Sequence, residues 1–351
     1  LADSIVQLAL RFAAEDLKCD PSSFCVLAMG KLGGEELNYS SDIDQVFVCE
    51  QDAGSFATMA QRMVRGLSDM TITGFLYWVD MRLRPWGKAG ALVTTRNAYL
   101  EYMRREGRLW EKQALLKARP IAGNLEVGQA VLMSLKPEIF QVDAEVARQN
   151  VLTMKREIEK KLVAQGLIDS EIKSGRGGIR DIEFIAQYLQ LVHGGKTPGI
   201  RSINTLDGLV RLADQDIIQA DEYRQLTGGY VFLRTVEHSL QLLHNKQEHT
   251  LPKSERELSC LARRIDFPSS DEFISYYNQH RAAIRRIFDK YVVKPTKTPS
   301  VSTAHAAITQ HLGGVMPGYT ELFNEVEQRQ HLAKFESLSP NHRVRVIARS
   351  A

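Results

Sequence analysis

The 351-residue chain is 44% hydrophobic and 25% charged, an ordinary globular composition that excludes disordered, collagen-like and disulfide-scaffold chains. Its length suits two domains of roughly 100–200 residues each. With 45 Lys+Arg against 42 Asp+Glu, the net charge is only +3, which argues against a dedicated nucleic-acid binder. Cys19, Cys25, Cys49 and Cys260 form no C-x-x-C pair. They read as reduced, mostly buried thiols; with no apolar stretch of membrane length, they predict a cytoplasmic protein with no membrane partner.

In chain order, residues 1–17 carry an apolar stripe at helical spacing. The start lacks both Met and a cationic leader, so an amphipathic helix is expected there rather than a secretion signal. The continuous apolar run 24–29 suits a strand buried on both faces. Gly30, Gly33 and Gly34 then predict a tight turn. A second strand is expected over 43–49, a helix over 55–69, and a third strand over 74–80 continuing to Arg84. A weak fourth strand at 91–95 precedes a helical pattern over 96–119. After Pro120 the period is near 3.6, with helices expected over 127–134, 143–165, 179–192, 206–213, 221–243 and 271–293. Residues 294–304 read as a linker before a polar tail of short helices. The predicted fold is therefore α+β: a domain with a small mixed sheet at 1–120, an all-α bundle at 121–293, and a linker and tail at 294–351. The tail stops in helical pattern, so a piece of a longer chain is expected.

The sharpest motif is Gly30-Lys31-Leu32-Gly33-Gly34 followed by Ser40-Ser41-Asp42-Ile43-Asp44. Strand residues two apart share a face, so Asp42 and Asp44 project side by side. Carboxylates that close repel unless a cation lies between them, and Mg²⁺ suits that need while leaving sites for phosphate oxygens. The upstream glycines allow backbone N–H groups close to phosphate. Asp80 ends an apolar strand and supplies a third carboxylate, as ligand or base. Strand alternation would put Arg82 and Arg84 on its face, where guanidiniums hold phosphate. A structural ion-pair ladder is the competing reading of that face.

These residues resemble the nucleotidyltransferase superfamily that includes DNA polymerase beta. More specifically, AMGKLGGEELNYSSDIDQVF, VDMRLRPWG and GRGGIRDIEFIAQYLQL resemble the glutamine synthetase adenylyltransferase family, also called glutamate–ammonia-ligase adenylyltransferase. The resemblance covers about residues 1–293. It implies that Asp42, Asp44 and Asp80 are metal-binding and catalytic, and that Gly33 and Gly34 form the phosphate-side turn. The second of these glycines stands where many superfamily members have Ser, although Ser40 and Ser41 are near in sequence and join the expected phosphate or nucleotide site. Arg82, Arg84 and Lys88 complete it. The implied cofactor is Mg²⁺, with Mn²⁺ as an alternative, and ATP, ADP and phosphate are substrates or products.

The family's enzymes carry two such units. One removes AMP from a tyrosine of glutamine synthetase by phosphorolysis, releasing ADP; the other adds AMP from ATP. The resemblance thus implies glutamine synthetase as protein substrate, a PII protein and glutamine as regulators, and a second catalytic half. Asn38, Met81, Arg180 in GGIRDIEF, and Thr250-Leu251-Pro252 look more like the removing unit. WEKQALLKAR and QYLQL lean partly the other way.

Other features carry less. Ser174-Gly175-Arg176-Gly177-Gly178 before a helix suits either an anion site or plain helix initiation. Asp181 fits as a dipole partner. Glu183 shares a helix face with Gln187, toward a cleft or solvent. Gly177, Gly178, Arg180 and Glu183 are thus secondary candidates. His238, His244 and His249 lack metal-ligand spacing. Trp78, Trp86 and Trp110 read as packing residues, and 256–264 as a solvated helical face. A nucleotide-adding polymerase relative acting on RNA and a regulatory module with a degenerate site are the rival readings. The first has no aromatic-basic ladder to support it, and the second is at odds with three intact carboxylates.

Overall fold

A computed structural model describes residues 1–72, 74–244 and 247–294. The expected linker and tail lie outside the described residues from 295 onward. The sheet-bearing region opens with helix α1 (Ala2–Leu17), which buries Val6, Leu10 and Ala13 and stops at Lys18 in a left-handed conformation. Strand β1 (Phe24–Ala28) is buried at every residue. Its neighbour β2 (Ile43–Cys49) runs antiparallel to it. Between them the glycine motif forms a one-turn helix, α2 (Gly30–Gly33), rather than a simple turn. Helix α3 (Ala57–Ser68) follows, then β3 (Val79–Asp80), a 3-10 turn at Gly87–Ala89, and β4 (Val93–Thr95).

The helical pattern of 96–119 divides into α4 (Arg96–Arg105) and α5 (Leu109–Leu115). The Thr95 hydroxyl caps the first by accepting from the Ala98 amide. Strand β5 (Arg119–Gly123) was not expected; it pairs antiparallel with β1. Pro120, where the change of character was placed, therefore lies inside a strand. The sheet order is β3-β2-β1-β5, with β4 also on β2. β3 and β4 both run parallel to β2, along different stretches of it.

Alternation sends Phe24, Val26, Ile43 and Phe47 to one face, under α1 and α3. Cys25, Leu27, Val46 and Val48 go to the other, under α4, α5 and α6 (Leu125–Phe140). The double burial explains the unbroken apolar runs. A second core fills the helices α7 (Ala144–Ala164), α8 (Ile179–His193), α9 (Thr205–Asp214), α10 (Ala220–His244), α11 (Glu255–Arg264) and α12 (Ser270–Phe288). A π turn at Asp289–Val293 ends the last helix. The described residues all fall in one compact unit, Leu1–Pro295. Among them, no helix is long and apolar enough to cross a membrane.

Candidate active site

Asp42 and Asp44 stand at the start of β2, on the sheet face shared with Val46 and Val48. The parallel register sets Asp44 opposite Asp80, and the Ile43 amide donates to the Trp78 carbonyl at 2.8 Å. The three carboxylates that the sequence singled out are thus brought to one edge of the sheet. Burial, then the charges of Asp42 and Asp80, push the Asp44 carboxyl up to about 7. A cleft of about 360 Å³ opens beside them, lined by Asp42, Trp78, Asp80, Arg82, Arg84 and Lys88 among others.

Gly30 has φ +54°, and a Cβ there would lie 2.3 Å from the Asp44 carboxylate. Only glycine lets α2 start this close to the acid. Gly33 and Gly34, expected to offer amides to phosphate, instead donate those amides to the Met29 and Gly30 carbonyls. Their requirement is for space: a Cβ at Gly33 would meet the Lys117 carbonyl oxygen at 1.9 Å. Ser41 is buried, its hydroxyl accepting from the Asn38 amide, and Ser40 is half-buried; neither lines the cleft.

The strand expected through Arg84 ends at Asp80. The chain turns at once, because the Asp80 carboxylate accepts from both the Arg82 amide and its guanidinium. Burial would raise the Asp80 pKa, but these hydrogen bonds outweigh it and hold the carboxyl below its ordinary value. Arg84 is not free for phosphate. Its guanidinium donates to the carbonyls of Met81, Lys88 and Gly90 and ties the loop together. Arg82 and Lys88 are exposed in the cleft. Trp78 and Trp86 are 57% and 48% exposed, so neither is a core residue. Trp78 lines the cleft and packs on Phe75, ring centroids 4.4 Å apart.

The three acids supply the hard oxygen donors that Mg²⁺ takes, and their mutual repulsion is relieved by a cation. Among the described residues, however, no three acidic, His or Cys side chains are already gathered as a metal cage. Asp80 faces Arg82 and would have to turn from it to join Asp42 and Asp44 on a metal. The donor chemistry fits the ion; the set closes only on that movement.

The glycines before α8 do not present free amides to an anion. The Gly177 amide donates to the Asp181 carboxylate at 2.8 Å, and Glu171 accepts from Ser174 and Gly175. A Cβ at Gly177 or Gly178 would strike the backbone of Arg281 or of Ile172 and Lys173. Arg180 lies over the Phe184 ring. Glu183 and Gln187 face the sheet-bearing region, toward Lys117 at 3.9 Å and Gln113 at 2.6 Å. His238 meets the Asn38 side chain and His249 meets Glu237, so these two serve polar contacts.

Sequence reasoning missed the groups that join the two halves. Glu237, fully buried on α10, faces Lys31 at 3.0 Å and His249 at 3.1 Å. Burial brings the Lys31 ammonium down to about 8, against the pull of Glu237. Lys117 bonds Glu36 and Thr205. Lys173, just before the glycine-rich loop, acts electrostatically on Asp44. Lys31 lay within a motif already singled out, whereas nothing local marks Glu237.

Residues 1–134 match the family model described as glutamate-ammonia ligase adenylyltransferase, and residues 147–292 match one described as GlnD PII-uridylyltransferase. Proteins named bifunctional glutamine synthetase adenylyltransferase/adenylyl-removing enzyme are similar across most of the chain. That of Aromatoleum aromaticum is 37% identical over 284 residues, 78% of this chain and 30% of its own length. That of Hahella chejuensis is 37% identical over the same shares. That of Streptomyces avermitilis is 35% identical over 84% of this chain and 31% of its own. The chain spans about a third of the length of these curated relatives. With the carboxylates, the glycine motif and these matches together, the chain belongs to the glutamate–ammonia ligase adenylyltransferase family.

Proposed function

We propose that this unit is a Mg²⁺-dependent nucleotidyltransferase that removes AMP from an adenylylated tyrosine of glutamine synthetase by phosphorolysis, within a larger bifunctional enzyme. One observation supports the direction most. Arg82 and Lys88 are exposed in the cleft beside Asp42 and Asp80 and give it a cationic lining suited to an anionic attacker. Transfer to a tyrosine hydroxyl needs a base; an inorganic phosphate attacker is already ionised and needs anion binding instead.

Asp42, Asp44 and Asp80 would hold the metal, whose charge would neutralise phosphate oxygens. Arg82 and Lys88 bind and orient the phosphates. A phosphate oxygen attacks the adenylyl phosphorus, the bond to the tyrosine oxygen breaks, and ADP forms. The proton of hydrogenphosphate passes to the released phenolate. A second half adding AMP, and PII protein and glutamine as regulators, belong to this reading as the family resemblance implies them.

The test gives the chain adenylylated glutamine synthetase with phosphate, and separately the unmodified enzyme with ATP. ADP in the first mixture alone is the expected result. AMP incorporation in the second mixture would assign the adenylylating direction.

A further inference from the structure

Trp78 lines the cleft with Asp42 and Asp80, and Leu76 lines a second groove of about 340 Å³ with Ile5, Leu8 and Phe12. Both side chains are more than half exposed. Neither belongs to the core: Tyr77 and Val79, which alternate with them, pack against it under α1 and α3. Met70 and Ile72, shortly before, are exposed too. A single exposed apolar side chain is ordinary, but a run of them marks surface that meets a partner.

The segment is held in place from both sides. The Leu76 and Tyr77 amides donate to the Leu67 carbonyl, near the end of α3, at 3.2 and 2.9 Å. The Trp78 carbonyl accepts from the Ile43 amide of β2 at 2.8 Å, and the Phe75 ring backs the indole. Two residues of chain span at most about 7 Å, so cleft and groove border one another along this segment. The groove offers no unpaired charge: Arg62, its one charged lining residue among the described residues, pairs with Asp16 at 3.0 Å.

A tyrosine side chain is short, so the polypeptide on either side of a modified tyrosine must cross whatever borders the cleft. One border carries Arg82 and Lys88 and suits phosphate. The other is Trp78 and the apolar segment that leads to it. Resting on the function proposed above, we infer that Leu76 and Trp78 dock the polypeptide flanking the modified tyrosine of the protein substrate, and that an apolar side chain of that polypeptide seats in the groove between Leu76, Leu8 and Phe12. An uncharged groove favours such a side chain over an acidic or basic one. Aromatic anchors of this kind carry much of the affinity at protein interfaces, and a segment already fixed avoids the ordering cost of a loose one.

Surface plasmon resonance of adenylylated glutamine synthetase on the 351-residue chain, with calorimetric binding of ADP alongside, tests this. Leu76→Ser, Phe12→Ser and Trp78→Ser should each weaken glutamine synthetase roughly 10-fold or more. Leu76→Ser should leave ADP affinity as it was, and in phosphorolysis its loss should appear in KM rather than kcat. Leu76→Met, which keeps the apolar contact, and Val163→Ser, at an exposed valine of α7, should bind as the wild type does.

Unchanged affinity for glutamine synthetase in the serine variants would overturn the docking surface, and if those variants instead dissolve a dimer of the chain, the face belongs to a second copy. It is also overturned if Trp78→Ser weakens ADP as much as glutamine synthetase, which would give the indole to the nucleotide, or if binding losses track falls in thermal midpoint, which would make the segment structural. Each of these leaves the proposed reaction standing. Conversely, binding that depends on Leu76 with no ADP released in the presence of phosphate would overturn the reaction and leave the docking surface. A wild-type chain that does not bind glutamine synthetase overturns both.

Discussion

Asp44 sits half-buried between two other carboxylates with its pKa pushed up to about 7, so its charge is a burden on the fold. Groups arranged this way are kept for chemistry at the expense of stability. Asp44→Asn should therefore abolish turnover while the thermal midpoint holds or rises, and a clear fall in midpoint would show that the carboxylate is structural. Gly33 presents the opposite case. A Cβ there would overlap the Lys117 carbonyl, and backbone cannot swing aside as a side chain does. Gly33→Ala should lose about 1–3 kcal/mol or more in chemical denaturation. The residue type was legible in the sequence, but its reason was not. Glycine beside a D-x-D suggested phosphate, and the structure instead shows a close approach between chain segments far apart in sequence.

At the level of elements, long apolar periodicities were readable, and the short ones were not. Strand β2 has the bounds expected, because its apolar residues fill both cores. Strand β3 keeps only Val79–Asp80, since Asp80 captures the Arg82 amide and turns the chain. Strand β5 contains Pro120 and Gly123, which disguise it; as a strand with β1 as its partner it tolerates both. The helices around Asp181 show a further element-level device. Asp181 is fully buried at 2.5 Å from Lys155, which is 1% exposed. Lys155 also donates to the Ser174 and Gly175 carbonyls and lies 3.6 Å from Glu159. Asp181→Ala removes its nearest counter-charge and the acceptor of the Gly177 amide, and should cost about 1–3 kcal/mol in urea titration; a variant as stable as the wild type would show that the pair contributes nothing net.

Across the whole molecule, the sheet region and the helical region are joined by polar contacts as well as by packing. Glu237 is the centre of one such junction, fully buried with Lys31, His249 and Arg234 around it. Burial alone would raise its carboxyl pKa. The His249 ring 3.1 Å away and the charges of Lys31 and Arg234 outweigh that and hold it well below the ordinary 4.5. A carboxyl depressed in the folded state contributes stability that is complete above its unfolded pKa and is lost as pH falls through the folded one. Stability should therefore decline below about pH 4.5, and Glu237→Gln should flatten that decline in denaturant titrations at successive pH values. An identical slope in both proteins would remove Glu237 from the junction's energetics.

By itself the sequence determined the chemistry on offer: three carboxylates, a glycine motif, a buried sheet and a helical region behind it. Each is a local matter of spacing and side-chain type, and spacing within one strand or helix survives in any fold that keeps the element. Tertiary structure alone decided which of these groups meet. It gave Arg84 to loop carbonyls, Arg82 to Asp80, and the amides of the glycine motifs to neighbouring backbone and carboxylates. It also set Glu237 against Lys31, separated by about 200 residues. Such pairings depend on how separate elements pack, which no local pattern records.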